Sequence, residues 1–348
     1  MGRLYNKVNK KQLKKNILES KQNRTTLSFY KYHPISNPNI FRDDLYKLLS
    51  EIDVYGRIYI ASEGLNAQIS IPTSQLDTFK ETIEQIDFLN QVRLNIAIDD
   101  DGKSFYLLKI KVKEKIVADG LIDQDVDLTK GGIHIDALTF NKMSELDNTV
   151  IVDMRNHYES EVGHFENAIC PDVETFRDSL SEVEEILKPH QSRDIIMYCT
   201  GGIRCEKATA YFRAKGFDNL YQLDGGIVEY ARQVAQKGLI NKFRGKNFVF
   251  DERLGERISP EIIARCHQCG QPCDSHTNCA NDACHLLFIQ CASCAAEHSG
   301  CCSKHCSNFI QLPNSEQEKL KNTSEFNGSK FGKGRYRAHR THNKLEHK

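Results

Sequence analysis

The 348-residue sequence predicts a multidomain protein of mixed α/β and α+β class: a ferredoxin-like N-terminal unit, an α/β unit on a largely parallel sheet, and a small cysteine-rich C-terminal segment. Three observations carry this. Segments with strand and helix periodicity follow one another as βαββαβ over residues 25–117. Short apolar runs then alternate with amphipathic helices over 131–238. Ten of the thirteen cysteines fall between Cys266 and Cys306.

The elements follow in order. Residues 1–24 hold eight Lys/Arg against Glu19 and read as a basic, mobile arm. "TTLSFYKYH" reads as a strand and "NIFRDDLYKLLSEI" has helical spacing. "GRIYIASEG" and "NAQISIP" are two strands around a turn, and "TSQLDTFKETIEQI" opens on a Ser/Thr cap before a helical pattern. "LNIAI" with "FYLLKIKVKEKIV" closes the unit. Residues 118–130 form a polar linker leading to two glycines. Beyond it "TVIVDM", "DIIMYC" and "NLYQLDG" are strands, separated by helices near "ETFRDSLSEVEEIL" and "RCEKATAYFRAKG" and followed by "GIVEYARQVAQ". Residues 239–312 make a connector, "NFVFDERLGERI", and the cysteine-rich segment. Residues 313–348 are a basic tail expected to be disordered.

Composition narrows the function. A hydrophobic content of 39% supports real cores. No apolar run approaches the roughly 18 residues of a membrane span, and the N-terminus lacks the apolar centre of a secretory signal, so a cytoplasmic protein with no membrane partner is expected. Cysteines in that setting act as metal ligands or reactive thiols rather than disulfides. Basic ends flanking an acidic body suit a polyanionic partner, although on the ends alone solvated, disordered termini are the slightly favoured reading.

The chemistry centres on "DIIMYCTGGIRCEKATAYFRAKGF". Cys199 ends a short apolar strand and faces the start of a helix. Backbone N–H groups freed by Gly201 and Gly202, with the helix dipole and the charge of Arg204, stabilise an anion there and lower a thiol pKa. Cysteine-dependent phosphatases place five residues between Cys and Arg; here only Thr200 to Ile203 intervene, which suits a thiolate or persulfide sulfur better than a tetrahedral phosphate. "CTGGIR" resembles the active-site loop of the rhodanese family, and "VDMRNHYESEVGHFENAI" is similar to its Asp-x-Arg, Glu, Gly-His and Ala signature, placing Asp153, Arg155, Glu159, Gly163, His164 and Ala168. The resemblance implies a rhodanese-like domain whose cysteine carries a persulfide, with Asp153 and Arg155 organising the sheet edge or forming a structural ion pair. Cys205 is either a resolving thiol or a packing residue, the supporting role being favoured.

The whole order, from an acylphosphatase-like first unit to "FDERLGERI" and "CHQCGQPCDSHTNCANDACHLLFIQC", resembles the bacterial tRNA uridine hydroxylases over roughly residues 25–310. "ASEGLNAQISIP", "RNHYE" and "YCTGGIRCEKA" are its other specific pieces. The resemblance implies an oxidoreductase that hydroxylates the wobble uridine of tRNA at carbon 5, with molecular oxygen as co-substrate and Cys199 essential. Sulfur transfer from a Cys199 persulfide to a thiol or RNA is the alternative, and a non-catalytic RNA-binding protein the third reading. For RNA, Phe29, Tyr30 and Tyr32 offer stacking surfaces, "KIKVKEK" a basic edge, and Glu63, Gly64 and Asn66 a polar turn.

Cofactor signals are sparse. "HID", His134 to Asp136, has two members of a facial triad but no third ligand, and is read as a chance match. No flavin or nicotinamide fingerprint follows a strand. Cys266-x-x-Cys269 and Cys291-x-x-Cys294 are spaced like a zinc ribbon. Cys273, Cys279, Cys284, Cys301, Cys302 and Cys306, with His285 and His305, offer a second site, unless these thiols stay metal-free.

Overall fold

The computed structural model describes residues 9–121, 126–328 and 335–336. Strands β1 (Arg24–Tyr32), β2 (Tyr55–Ala61), β3 (Gly64–Pro72), β4 (Asn95–Ile96) and β5 (Leu108–Val112) form one sheet in the order β4-β1-β3-β2-β5. The first four strands, with α2 (Pro38–Glu51) and α3 (Leu76–Glu84), make the ferredoxin-like unit, and β5 extends it parallel to β2. The two-residue period of β1 turns Leu27 and Phe29 into the core and Tyr30 and Tyr32 to the opposite face. Ile58, Ile60, Ala67 and Ile69 pack under Leu45, Leu49, Phe79 and Ile83, large side chains each worth about 1.5–3 kcal/mol when fully buried.

Two expectations change here. Thr73–Gln75 forms a 3-10 turn, and α3 starts without a side-chain cap, because the Thr73 hydroxyl pairs at 3.1 Å with Thr25 across the strand ends. The basic arm is helical over α1 (Lys10–Glu19): Ile17 is buried and Lys14 pairs with Glu252 at 2.5 Å, so one apolar position and one charge dock it. The rest of the arm, residues 1–8, lies outside the described residues, as do 122–125 of the linker.

In the second unit β6 (Ile133–Ile135), β7 (Thr149–Asp153), β9 (Asp194–Tyr198) and β10 (Leu220–Leu223) form a parallel sheet in the order β6-β10-β9-β7. β7 and β9 are almost continuously apolar because each face of the sheet packs into its own core. α6 (Phe176–Leu187) and α7 (Ile203–Ala214) line one core; α4 (Ala137–Met143) and α8 (Gly226–Lys237) line the other.

The segment expected to be a connector is paired instead. β11 (Phe243–Asn247) joins β8 (Gly163–Phe165) and β12 (Glu256–Arg257) in a second small sheet. A Cβ at Gly163 would lie 2.2 Å from the Lys246 carbonyl oxygen, so the crossing requires glycine. Arg155 locks this sheet to the first: fully buried, it binds Asp153 through Nε at 2.9 Å and Nη2 at 2.6 Å, and donates to the Gly163 carbonyl at 2.6 Å and to Asn247 at 3.4 Å.

The C-terminal segment contains β13 (His276–Asn278), β14 (Leu287–Ile289), α9 (Ala292–Glu297), α10 (Lys304–Ile310) and α11 (Asn314–Leu320). The tail expected to be disordered is helical over α11, and further on Arg335 binds Asp172 at 2.5 Å and Glu174 at 2.7 Å while Tyr336 stacks on Phe288. Residues 329–334 and 337–348 of that tail lie outside the described residues. No described helix is long and apolar enough to cross a membrane.

Replacing Asp153 by Ala strands a buried guanidinium and is expected to cost about 3–5 kcal/mol. Hydrogen exchange of β7 and β9 amides under urea should show the loss, while the ferredoxin-like unit keeps its protection.

Candidate functional site

Cys199 follows directly on β9, and α7 begins four residues later. Gly202 turns the chain between them at φ 100°, in the left-handed region, and a Cβ there would sit 2.8 Å from the Tyr30 hydroxyl. The Gly202 N–H points at the Cys199 sulfur at 3.2 Å, and the Arg204 amide also bonds it. The turn is held from its carbonyl side as well: the Cys199 and Thr200 carbonyls accept from the Ile227 and Val228 amides, and the Ile203 carbonyl accepts from Tyr32 at 3.1 Å.

Burial pushes the Cys199 thiol up, but the hydrogen bond from Cys205, the Arg204 guanidinium and the two amides outweigh it and bring the pKa to about 6. Burial and the Cys199 sulfur push Cys205 well above its ordinary value, so Cys205 stays a thiol and serves as donor. Arg204 is itself anchored, with Nη1 and Nη2 on the two oxygens of buried Glu159 at 2.7 and 2.8 Å. Glu159 also accepts the Asn156 N–H at 3.0 Å and so closes the capping box of the short helix α5 (His157–Ser160). Asp153 and Arg155 spend their polar contacts on Tyr198, Gly163 and Asn247, and His164 holds the Ser160 carbonyl at 2.9 Å.

The ferredoxin-like sheet packs on this loop. Tyr30 donates to Glu206 at 3.0 Å, and Lys207 pairs with Glu63 and, at 2.9 Å, with Asp119. Tyr30 and Tyr32 are therefore not open stacking platforms; the second unit covers them. Phe29 lies in the first unit's core. Glu63 and Asn66 hold the backbone of Ile116, and Gly64 is demanded by the Lys31 carbonyl oxygen, 2.1 Å from where its Cβ would be.

The "HID" pair separates. Asp136 caps α4 and binds Lys237 at 3.0 Å, whereas His134 meets Asp224 at 3.1 Å and Glu206 at 3.6 Å. Those two carboxylates raise His134 to about 9 and keep it charged. Sequence reading missed Asn95, Arg93, Glu206 and Asp224, which come together from distant segments without a motif. Glu206 is signalled only by its place in "RCEKA".

The cysteines divide into two groups of four, Cys266, Cys269, Cys291 and Cys294, and Cys279, Cys284, Cys302 and Cys306. Sulfur separations of 3.7 Å for Cys269–Cys291, 3.7 Å for Cys284–Cys302 and 3.8 Å for Cys302–Cys306 match the edge of about 3.8 Å set by a tetrahedron of 2.3 Å zinc–sulfur bonds. Both groups fit such an ion. Cys273 and Cys301 stand outside these sets and pack as buried thiols in the neighbouring apolar clusters, and His305 packs against Phe326.

Comparisons with known proteins agree with this architecture. Residues 24–116 match a UPF0176 acylphosphatase-like domain, 136–233 a rhodanese-like domain, and 244–307 a rhodanese C-terminal family. A Photorhabdus laumondii protein named tRNA uridine(34) hydroxylase is 53% identical over 96% of this chain and 95% of its own. Proteins of the same name from Escherichia fergusonii, 52% identical over 96% of both chains, and Pectobacterium atrosepticum, 53% identical over 94% and 92%, are similar throughout.

A depressed thiol pKa places the thiolate above that value. The ultraviolet thiolate absorbance that distinguishes the wild type from Cys199→Ser should rise through about pH 6, and Cys205→Ala should move the midpoint upward by removing the hydrogen-bond donor.

Proposed function

The chain belongs to the tRNA uridine(34) hydroxylase family, and from that membership we propose that it hydroxylates the wobble uridine of tRNA at carbon 5, with molecular oxygen as co-substrate and Cys199 as the essential residue. The observation that carries the assignment of Cys199 is its buried sulfur under the Gly202 amide at the head of α7, with Arg204 and Cys205 beside it. Those contacts favour a thiolate without exposing it to bulk water. In the reaction the thiolate adds to the electron-poor carbon 6 of uracil, which makes carbon 5 nucleophilic toward an oxygen species. Loss of the carbon 5 proton with departure of the sulfur restores the base. One oxygen atom enters the nucleoside and the other leaves as water, consuming two electrons and two protons from a reductant.

Arg204 and Cys205 stabilise the sulfur anion, and Thr200 to Ile203 shape the turn that presents it. Asp153 and Arg155 act at a remove, by holding β7, β8 and β11 together. A route for RNA runs along β5, where exposed Lys109 and Lys111 lie beside Arg57 and Tyr59 of β2. The amide cradle would equally hold the outer sulfur of a persulfide, and that geometry supports sulfur transfer as a second reading.

Zinc belongs to the same proposal. Cys266, Cys269, Cys291 and Cys294 would hold one ion and Cys279, Cys284, Cys302 and Cys306 another. Four thiolates leave no open position on either, so their contribution is to fold a segment with little apolar core of its own.

Nucleoside mass spectrometry of a strain lacking the protein should show loss of 5-hydroxyuridine derivatives, restored by wild type and not by Cys199→Ala; a change in thiolated nucleosides instead would mark a sulfur donor. Metal analysis of purified protein should give about two zinc ions per chain and about one in Cys284→Ser.

A further inference from the structure

We propose that the cavity between the ferredoxin-like sheet and the second unit, where Glu206 and Asp224 line it, holds the target pyrimidine base, with Asn95 reading its hydrogen-bonding edge and Tyr30 and Tyr32 walling it. This rests on the tRNA hydroxylase reading and names where that site holds its base. The cavity measures about 400 Å³ and is lined by Tyr30, Tyr32, Arg93, Asn95, Glu206 and Asp224, among others. That volume falls in the range of small-molecule pockets.

The observation that points to a ligand is Asn95. It is only 4% exposed, yet its side-chain oxygen has no hydrogen-bond partner among the described residues. A buried acceptor left unpaired is costly, and the great majority in native proteins are satisfied. Its amide nitrogen lies against the loop, 3.3 Å from where a Gly201 Cβ would stand. Asn95 and Tyr30 thus border the cavity and also occupy the space that a side chain at Gly201 or Gly202 would need. The Thr200 hydroxyl, in the same loop, is also without a partner.

The charges favour a neutral guest. Arg93 is paired with Asp224, and Glu206 accepts from Tyr30, so the ionic groups around the cavity already answer one another. A carboxamide presents one acceptor and two donors, the complement of a uracil edge with its N3–H beside a carbonyl. With the Asn95 nitrogen on the Gly201 side, cytosine, which carries no proton on N3, would leave the Asn95 oxygen facing a lone pair. A base extruded from a single-stranded loop needs a pocket to receive it, and here the partly covered Tyr30 and Tyr32 form its wall. Lys31, exposed on the same strand, is placed for the flanking phosphate.

The test is binding of anticodon stem-loop RNA to the full chain, with uridine, cytidine or an abasic residue at the wobble position. Wild type should bind the uridine loop about tenfold more tightly than the abasic loop. Asn95→Ala should bring the two within about twofold while leaving abasic affinity unchanged, which also reports correct folding. Asn95→Asp, of the same shape but without the amide donors, should shift preference from uridine toward cytidine. Equal wild-type affinity for uridine and abasic loops, or full uridine preference in both variants, overturns the pocket even where hydroxylation proceeds. Uridine preference that depends on Asn95 in a protein without hydroxylase activity would uphold the pocket and sink the reaction instead.

Discussion

The loop depends on one buried carboxylate. Glu159 closes the capping box of α5 with one oxygen and, with both, grips the guanidinium of Arg204 at the first turn of α7. Burial works against its charge, and the Arg204 guanidinium outweighs that and holds Glu159 below the usual carboxylate range. Arg204 can then stand beside the Cys199 sulfur as a fixed cation whose geometry water does not disturb. Without Glu159 the guanidinium would be an unpaired buried charge, a defect that typically costs about 3–5 kcal/mol. The same pair thus adds to the Cys205 hydrogen bond in lowering the thiol pKa and anchors the first turn of α7 to α5.

The first two turns of α7 serve three neighbours at once. Arg204 and Cys205 face the sulfur, Glu206 meets Tyr30 and His134, and Lys207 meets Glu63 and Asp119. Successive residues on a helix point about 100° apart, so a single turn can distribute its side chains among a reactive centre and several other segments. The ferredoxin-like unit is therefore part of the site's wall. Gly202 allows this close approach, because a Cβ there would sit 2.8 Å from the Tyr30 hydroxyl.

What was legible in the sequence was local. "CTGGIR" is a continuous turn between a strand and a helix, so the position of Cys199 and the presence of Arg204 follow from adjacent residues, and the Cys-x-x-Cys pairs announce themselves by spacing. The βαββαβ order survives as a sheet because its two-residue and helical periods are strong. Pairings across long separations left no such trace. The Arg155–Asn247 and Glu206–Tyr30 bonds join segments far apart, and the ten clustered cysteines do not reveal which eight converge until β13, β14, α9 and α10 are folded. Thr73 reads as a helix cap in one dimension, yet its hydroxyl is spent on Thr25 across the sheet. Tyr30 and Tyr32 read as exposed because periodicity separates the two faces of a strand without saying which second unit covers the outer one.

The pairing of β8 with β11 has a consequence for the order of synthesis. Gly163, on β8, meets Gly245, on β11, so one half of this ladder leaves the ribosome well before its partner exists. At translation speeds of about 5–20 residues per second the gap is on the order of ten seconds. During that interval Arg155 lacks the Asn247 oxygen and the Gly163 edge of β8 has no partner strand. Completion of the β8–β11 ladder is therefore timed by arrival of the segment that also leads into the cysteine-rich end.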